Sequence, residues 1–99
     1  MTDKIYTLEE IKAIVAPIAK KYHLKEVNLF GSYARGEATE KSDIDLVVDF
    51  YKTIDLFTLA EIIQSFETVL QKNVDVLIYK NLTPELMWNI IDDEVLIYA

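Results

Sequence analysis

The chain has 99 residues, 52% of them hydrophobic, with two prolines and two glycines, so we expect residues 1–99 to form one globular domain. Its 17 acidic and 10 basic residues give a net charge of −7, which disfavours direct nucleic-acid binding, because affinity for a phosphate backbone comes largely from Lys and Arg. The sequence has no cysteine, so no disulfide is expected. It shows neither a basic-then-apolar leader nor an apolar run long enough to cross a membrane. The chain is therefore expected to be soluble and cytoplasmic, with no membrane contact.

The N-terminal region predicts an amphipathic helix. Thr7 and Glu10 form a capping-box pattern, in which each side chain satisfies a backbone N–H at the start of a helix. Apolar residues then recur at alternating steps of three and four, so the helix should extend over residues 8–22. Pro17 lies inside this range and should kink the helix, with a break as the alternative, because proline removes one backbone donor and crowds the preceding turn.

Two short strands are expected on either side of a glycine-containing turn. Residues 26–30 have β-favouring side chains and meet Gly31, where the strand should stop and a helical turn over residues 32–36 should begin. Residues 44–50 predict the second strand, because apolar and acidic residues alternate at its start. Its apolar face should consist of Ile44, Leu46 and Val48.

The second half of the chain predicts a long helix, a third strand and a shorter helix. Asp55 can cap a helix over residues 56–71, and Asn73 can end it in the left-handed conformation. A strand at 74–79 follows, and after a short helix residues 94–98 could add a fourth strand. The order of elements therefore predicts an α/β (α+β) fold with a small sheet flanked by helices.

The segment with the clearest chemistry runs from Gly31 and Ser32, across ten residues, to Asp43-Ile44-Asp45. A glycine lets the backbone approach a phosphate, the amides that open a helical turn point at an anion, and Ser32 adds a hydroxyl donor. Two aspartates at i and i+2 on a strand project from one face, about 6.6 Å apart along the chain, and can hold two Mg²⁺ ions roughly 3.5 to 4 Å apart. The segment predicts a site for a nucleoside triphosphate with magnesium.

A third carboxylate, Asp75, lies in the apolar strand predicted at 74–79. Because burying an unpaired carboxylate is costly, Asp75 is expected to join the metal site of Asp43 and Asp45. This requires the first two strands to run antiparallel and the second and third to run parallel, joined by a right-handed helical crossover. The expected sheet is therefore mixed, with the second strand in its centre.

Two neighbouring polar residues each have two interpretations. Arg35, the only arginine, either holds a phosphate or the acceptor, or forms a salt bridge to Glu37 or Glu40. Ser42 either supports the phosphate site or caps the turn before the second strand. Both remain candidate nucleotide-binding residues.

The segment GSYARGEATEKSDIDLVV, with Asp75 after it, resembles the signature of the DNA polymerase β-like nucleotidyltransferase superfamily, in which Gly-Ser, a ten-residue gap and Asp-x-Asp occur in this order. The chain's short length is similar to that of the minimal nucleotidyltransferases (MNT), which are antitoxin partners of HEPN toxins. The residues that match the family's key positions are Gly31, Ser32, Asp43, Asp45 and Asp75. The resemblance implies the polymerase β-like fold, which agrees with the mixed sheet expected from the order of elements.

The resemblance also implies a function. It implies a Mg²⁺-dependent protein adenylyltransferase that moves AMP from ATP to a tyrosine hydroxyl of a HEPN ribonuclease toxin and thereby silences the toxin. The three aspartates would be catalytic and would bind the metal, with two ions expected. The candidate nucleotide-binding residues are Gly31, Ser32, Arg35 and Ser42. Two alternatives are an antitoxin that neutralises its toxin by binding alone, and a subunit that modifies a small molecule such as an aminoglycoside.

Overall fold

Helices and strands alternate along the chain in the computed structural model, which describes residues 2–99. The helices are α1 (Leu8–Lys21), α2 (Gly31–Ala34), α3 (Leu56–Leu70) and α4 (Pro84–Ile90). The strands are β1 (Leu24–Phe30), β2 (Ile44–Phe50), β3 (Val74–Ile78) and β4 (Val95–Tyr98). A 3-10 turn, Tyr79–Asn81, connects β3 to α4. Within residues 2–99, no helix has the length and apolar character needed to cross a membrane.

All four strands form one mixed sheet in the order β3-β2-β1-β4. β1 and β2 are antiparallel, and β2 and β3 are parallel with α3 as the connection between them. This confirms the predicted topology and the interior position of β2. The fourth strand forms as well and pairs antiparallel with β1, so it extends the sheet on the side away from β3.

The first helix begins as its sequence predicts. Thr7 Oγ1 accepts a hydrogen bond from the Glu10 N–H at 3.1 Å, and Glu10 Oε1 accepts one from the Thr7 N–H at 3.0 Å. The helix continues through Pro17 without a break. Proline removes the N–H that would bond the carbonyl of Ala13, but both residues are exposed, so water can satisfy that carbonyl.

The hydrophobic core lies between one face of the sheet and the helices α1 and α3. The predicted apolar face of β2 is fully buried there, as are the apolar residues of both helices. The fully enclosed members of this core are Ile11, Val15, Ala19, Val27, Leu29, Ile44, Leu46, Val48, Ile62, Phe66 and Leu70. Since side chains alternate along a strand, the opposite face of the sheet is free to carry polar groups.

The end of α3 differs from the prediction. The left-handed residue is Gln71, with φ 56°, and not Asn73. Gln71 also closes the helix by donating from Nε2 to the Thr68 carbonyl at 2.7 Å. Asn73 already belongs to the sheet, because its carbonyl accepts from the Ile44 N–H at 3.0 Å and starts the pairing of β3 with β2. The prediction for Asn73 is therefore wrong, because strand pairing decides its conformation.

Candidate functional site

Two of the three predicted carboxylates meet on the face of the sheet opposite the core. Asp45 of β2 lies directly beside Asp75 of β3 in the parallel register, so both side chains project from the same face. Their carboxyl groups are close enough for a hydrogen bond when Asp45 is protonated. Asp45 is half-buried, whereas Asp75 lies on an edge strand and is exposed. The parallel pairing of β2 and β3 therefore builds a carboxylate pair from residues thirty positions apart.

Asp45 keeps its proton to a higher pH than an ordinary aspartate. Burial raises the pKa of Asp45 from 3.8 to about 6, with further contributions from the hydrogen bond to Asp75 and from the charges of Asp75 and Asp43. The positive charge of Arg35 opposes this shift only in part. Crowding of carboxylates around Asp45 is relieved by positive charge, which a bound cation can supply.

The glycine turn lies directly against this pair. β1 ends at Phe30, whose register partner is Asp45, and Gly31 then opens α2 with φ +72°. A side chain at position 31 would collide with Oδ2 of Asp45. Glycine is therefore required at position 31 for two reasons: the backbone there is left-handed, and the Asp45 carboxylate approaches closely. The turn and the aspartate form one site.

The third predicted carboxylate, Asp43, sits just outside this pair. It is exposed, precedes β2 and lines an adjacent cleft of about 260 Å³ together with Ser42, Lys72 and Asn73. Within residues 2–99 no three acidic, histidine or cysteine side chains are already arranged around a common metal position. Asp43 is nevertheless close enough for its charge to raise the pKa of Asp45.

The donor set suits magnesium. Mg²⁺ prefers oxygen ligands and is commonly held by one or two carboxylates together with substrate phosphates. The register pair of Asp45 and Asp75 supplies two such carboxylates side by side.

Arg35 forms contacts that match the salt-bridge interpretation. Its Nε lies 3.0 Å from Oε2 of Glu37, and its Nη1 lies 3.4 Å from Oδ2 of Asp93. Glu40, the other predicted partner, is not bonded to it in the described part of the chain. Arg35 is exposed, and exposed ion pairs contribute little to stability, so these contacts leave the guanidinium available to an anion.

The two predicted serines lie at different points of the loop. Ser32 is half-buried in the first turn of α2, next to Gly31, and its carbonyl accepts from the Glu37 N–H at 2.9 Å. Ser42 Oγ accepts from the Thr39 N–H at 2.8 Å and so caps the turn before β2. Ser32 is thus placed at the glycine turn, while Ser42 stabilises the approach to the aspartates.

A buried lysine that sequence reasoning missed holds the loop before β2 in place. Lys72 is only 4% exposed, and its ammonium group donates to the carbonyl of Glu40 at 2.9 Å and to that of Thr2 at 3.5 Å. Lysine is rarely buried, and its contact with Glu40 spans 32 positions, so no local pattern could have revealed it. Lys72 ties the turn before β3 to the segment that leads into Asp43.

Replacing Lys72 with methionine should destabilise the protein by about 1 to 3 kcal/mol, because it leaves the Glu40 and Thr2 carbonyls without their buried donor. Urea unfolding measures the loss. The matched control is Lys41→Met, which removes an exposed ammonium from the same cleft and should change the free energy of unfolding by less than about 0.5 kcal/mol. Equal effects of the two variants would show that the Lys72 hydrogen bonds do not matter.

Comparison with known proteins identifies relatives along most of the chain. Residues 9–99 match the family model for the polymerase beta nucleotidyltransferase domain. The putative protein adenylyltransferase MJ0435 of Methanocaldococcus jannaschii is 41% identical over 88 residues, which cover 89% of this chain and 95% of that protein. The protein adenylyltransferase MntA of Thermococcus cleftensis is 36% identical over 80 residues, which cover 77% of this chain and 81% of the relative.

Solved structures share the fold. A toxin-antitoxin crystal structure with AMP-PNP superposes with a TM-score of 0.79 at 22% identity, covering 89% of this chain and 73% of the other. A complex of a tri-AMPylated HEPN toxin of Shewanella oneidensis with its MNT antitoxin gives 0.74 at 19% identity, covering 94% and 73%. A structure described as a putative minimal nucleotidyltransferase gives 0.74 at 30% identity, covering 91% and 95%. These matches confirm the predicted fold.

Proposed function

The chain belongs to the polymerase β nucleotidyltransferase family, and from this premise we propose that it transfers AMP from ATP to a tyrosine hydroxyl of a HEPN-type toxin. The observation that carries the proposal is the adjacent pair of Asp45 and Asp75 in the parallel register, with the Gly31 backbone against Asp45. Support for the acceptor comes from two relatives named protein adenylyltransferases and from the AMPylated HEPN toxin in one complex of the same fold.

The residues on the catalytic face divide into a phosphate-binding group and a metal-binding group. Gly31 and Ser32, at the first turn of α2, would bind the β- and γ-phosphates of ATP through backbone amides and the serine hydroxyl. Asp43, Asp45 and Asp75 would hold Mg²⁺, with two ions expected. When bound, the metal neutralises charge on the phosphates and favours ionisation of the acceptor hydroxyl.

The transfer step forms one bond to the α-phosphorus, breaks another bond to it and releases the proton of the acceptor hydroxyl. The tyrosine oxygen bonds to the α-phosphorus of ATP, the bond from that phosphorus to the bridging oxygen of the β-phosphate breaks, and pyrophosphate leaves. The hydroxyl proton passes to Asp75 and then to water. Asp75 is suited to this because it is exposed, whereas Asp45 is half-buried against Gly31.

Arg35 and Ser42 have supporting roles in this proposal. Arg35 would leave its exposed partners Glu37 and Asp93 to contact a phosphate of ATP, since a bidentate contact with phosphate is stronger than an exposed ion pair. Ser42 would keep the turn before Asp43 in place. We take residues 1–99 as one minimal catalytic domain acting in the cytoplasm, where its ATP is available.

The proposal is tested by incubating the protein with Mg²⁺, ATP and a HEPN-type toxin, and then measuring intact masses and the modified residue. The expected result is AMP on a tyrosine of the toxin with the wild-type protein and none without Mg²⁺. If the toxin is bound and inhibited but unmodified, the protein is an antitoxin that acts by binding alone. If a small molecule is modified in place of the toxin, the acceptor assignment is wrong.

A further inference from the structure

The C-terminal end of α4 lies near the active-site end of the sheet, where β1 leads into Gly31. β4 runs antiparallel to β1, with Val95 opposite Leu29, so the start of β4 lies where β1 leads into Gly31. α4 directly precedes β4, and Asp93 between them reaches Arg35, just after α2, at 3.4 Å. The end of α4 therefore lies beside the end of the sheet that carries Asp45.

Three large apolar side chains in this region are more than half exposed. Trp88 is 78% exposed, Ile91 54% and Leu96 51%. Trp88 and Ile91 are three positions apart and therefore lie on one face of the helical turn. Leu96 pairs with Asn28, two positions before Phe30, which pairs with Asp45, so Leu96 projects from the same face of the sheet as Asp45. We call these three residues the α4 surface.

The segment that carries the α4 surface is acidic. Residues 81–99 contain four acidic residues and no Lys, Arg or His; the acidic residues are Glu85, Asp92, Asp93 and Glu94. Glu85 is three positions before Trp88 on the same face of α4, and Asp92 lies just beyond the end of α4. Of the four, only Asp93 forms an ion pair within residues 2–99, with Arg35. A complementary partner would present apolar side chains with Lys and Arg around them.

We propose that the α4 surface is the docking site for the acceptor protein, whose docking face is apolar, is ringed by basic residues and adjoins the hydroxyl that is modified. The inference rests on the proposed function, in which the acceptor is a separate protein. Docking at this end of the sheet would hold the acceptor hydroxyl near Asp45 and Asp75. Such positioning greatly accelerates a transfer reaction.

A second exposed apolar region lies at the other end of the sheet. Tyr51, Leu56 and Phe57 are 73%, 81% and 89% exposed and follow the far end of β2. Tyr51 is six residues beyond Asp45, or roughly 20 Å along an extended strand. The nearby cleft includes Lys21 and Lys52, so its charge differs from that of the α4 surface. This region supplies a matched control.

Docking can be measured without chemistry because Trp88 is the only tryptophan. In an Asp45→Asn background labelled with 5-fluorotryptophan, the single fluorine NMR signal should shift and saturate as a HEPN-type toxin is added. If size-exclusion chromatography detects a complex while the fluorine signal stays unchanged, the proposal is overturned. A saturating shift together with no AMP transfer by the wild-type protein would support the docking site and contradict the proposed function.

The activity test compares two exposed aromatic residues in the otherwise wild-type protein. Trp88→Ala should raise the KM for the acceptor protein by roughly tenfold or more and leave the KM for ATP unchanged, because buried aromatic anchors dominate interfaces. Phe57→Ala should leave both constants unchanged. The proposal is overturned if Phe57→Ala raises the acceptor KM while Trp88→Ala does not, or if Trp88→Ala changes only the KM for ATP.

Discussion

Asp45→Asn should abolish AMP transfer while the protein remains folded. The substitution keeps the shape of the side chain but removes the charge that would hold Mg²⁺ beside Asp75. We expect circular dichroism like that of the wild-type protein and a loss of at least about a thousandfold in transfer rate, as is common when a group central to the chemistry is removed. Wild-type transfer by this variant would exclude Asp45 from the mechanism.

The matched control for Asp45→Asn is Asp49→Asn. Asp49 lies on the same strand and the same face, about 13 Å further along, and pairs with Lys25 at 3.8 Å. Its removal should leave AMP transfer close to the wild-type rate. A comparable loss in both variants would mean that the transfer rate responds to the total charge of this face and not to the carboxylate beside Asp75.

Asp45→Asn should also raise the Tm in EDTA at pH 7 to 8. The pKa of Asp45 is raised to about 6, so its protonated form stabilises the fold, and this stabilisation is lost as the pH rises from about 4 through 6. At neutral pH the wild-type protein carries the ionised, crowded carboxylate and the variant does not. The difference in Tm should therefore shrink as the pH falls to 4. A lower Tm for the variant at pH 8 would contradict this account.

Gly31→Ala should reduce AMP transfer by about a hundredfold or more and should destabilise the fold. The new methyl group collides with Oδ2 of Asp45, so either the turn or the carboxylate must move. Misplacement of catalytic groups by about an ångström can cost about a hundredfold in rate. Initial rates of AMP transfer at saturating ATP and urea unfolding measure the two effects.

Gly36→Ala is the matched control for Gly31→Ala. Gly36 has the same φ of +72°, but a Cβ there meets no atom within 4 Å. Both variants carry the left-handed strain of about 1 to 2 kcal/mol, and only Gly31→Ala adds the collision. Gly36→Ala should therefore lose stability but keep transfer within roughly threefold of wild type. If the two variants transfer AMP equally well, the contact between the turn and Asp45 is not needed.

The sequence predicts the parts of the site that depend on short-range order. The residues before and after Gly31 predict a strand, a turn and a second strand within residues 26–50, and the structure has all three. Asp75 could be added because an acid in an apolar strand requires a partner, and the parallel register places it beside Asp45. Their roles in binding and catalysis stay predictions, which the variants above test.

The features that could not be predicted depend on contacts between distant segments. Lys72 is buried because the carbonyls of Glu40 and Thr2 converge on it, and neither lies near it in the sequence. The pairing of Arg35 with Asp93 spans 58 positions and depends on where β4 joins the sheet. A helical pattern likewise does not show which of its apolar residues stay uncovered, as Trp88 does.

The most direct test of the catalytic account follows the fate of each phosphate of ATP. Parallel reactions contain the protein, Mg²⁺, a HEPN-type toxin and ATP radiolabelled at either the α- or the γ-phosphate. The account predicts that the α-label becomes attached to the toxin and that the γ-label leaves as pyrophosphate. Attachment of the γ-label to the toxin would identify a kinase and contradict the proposed nucleotidyl transfer.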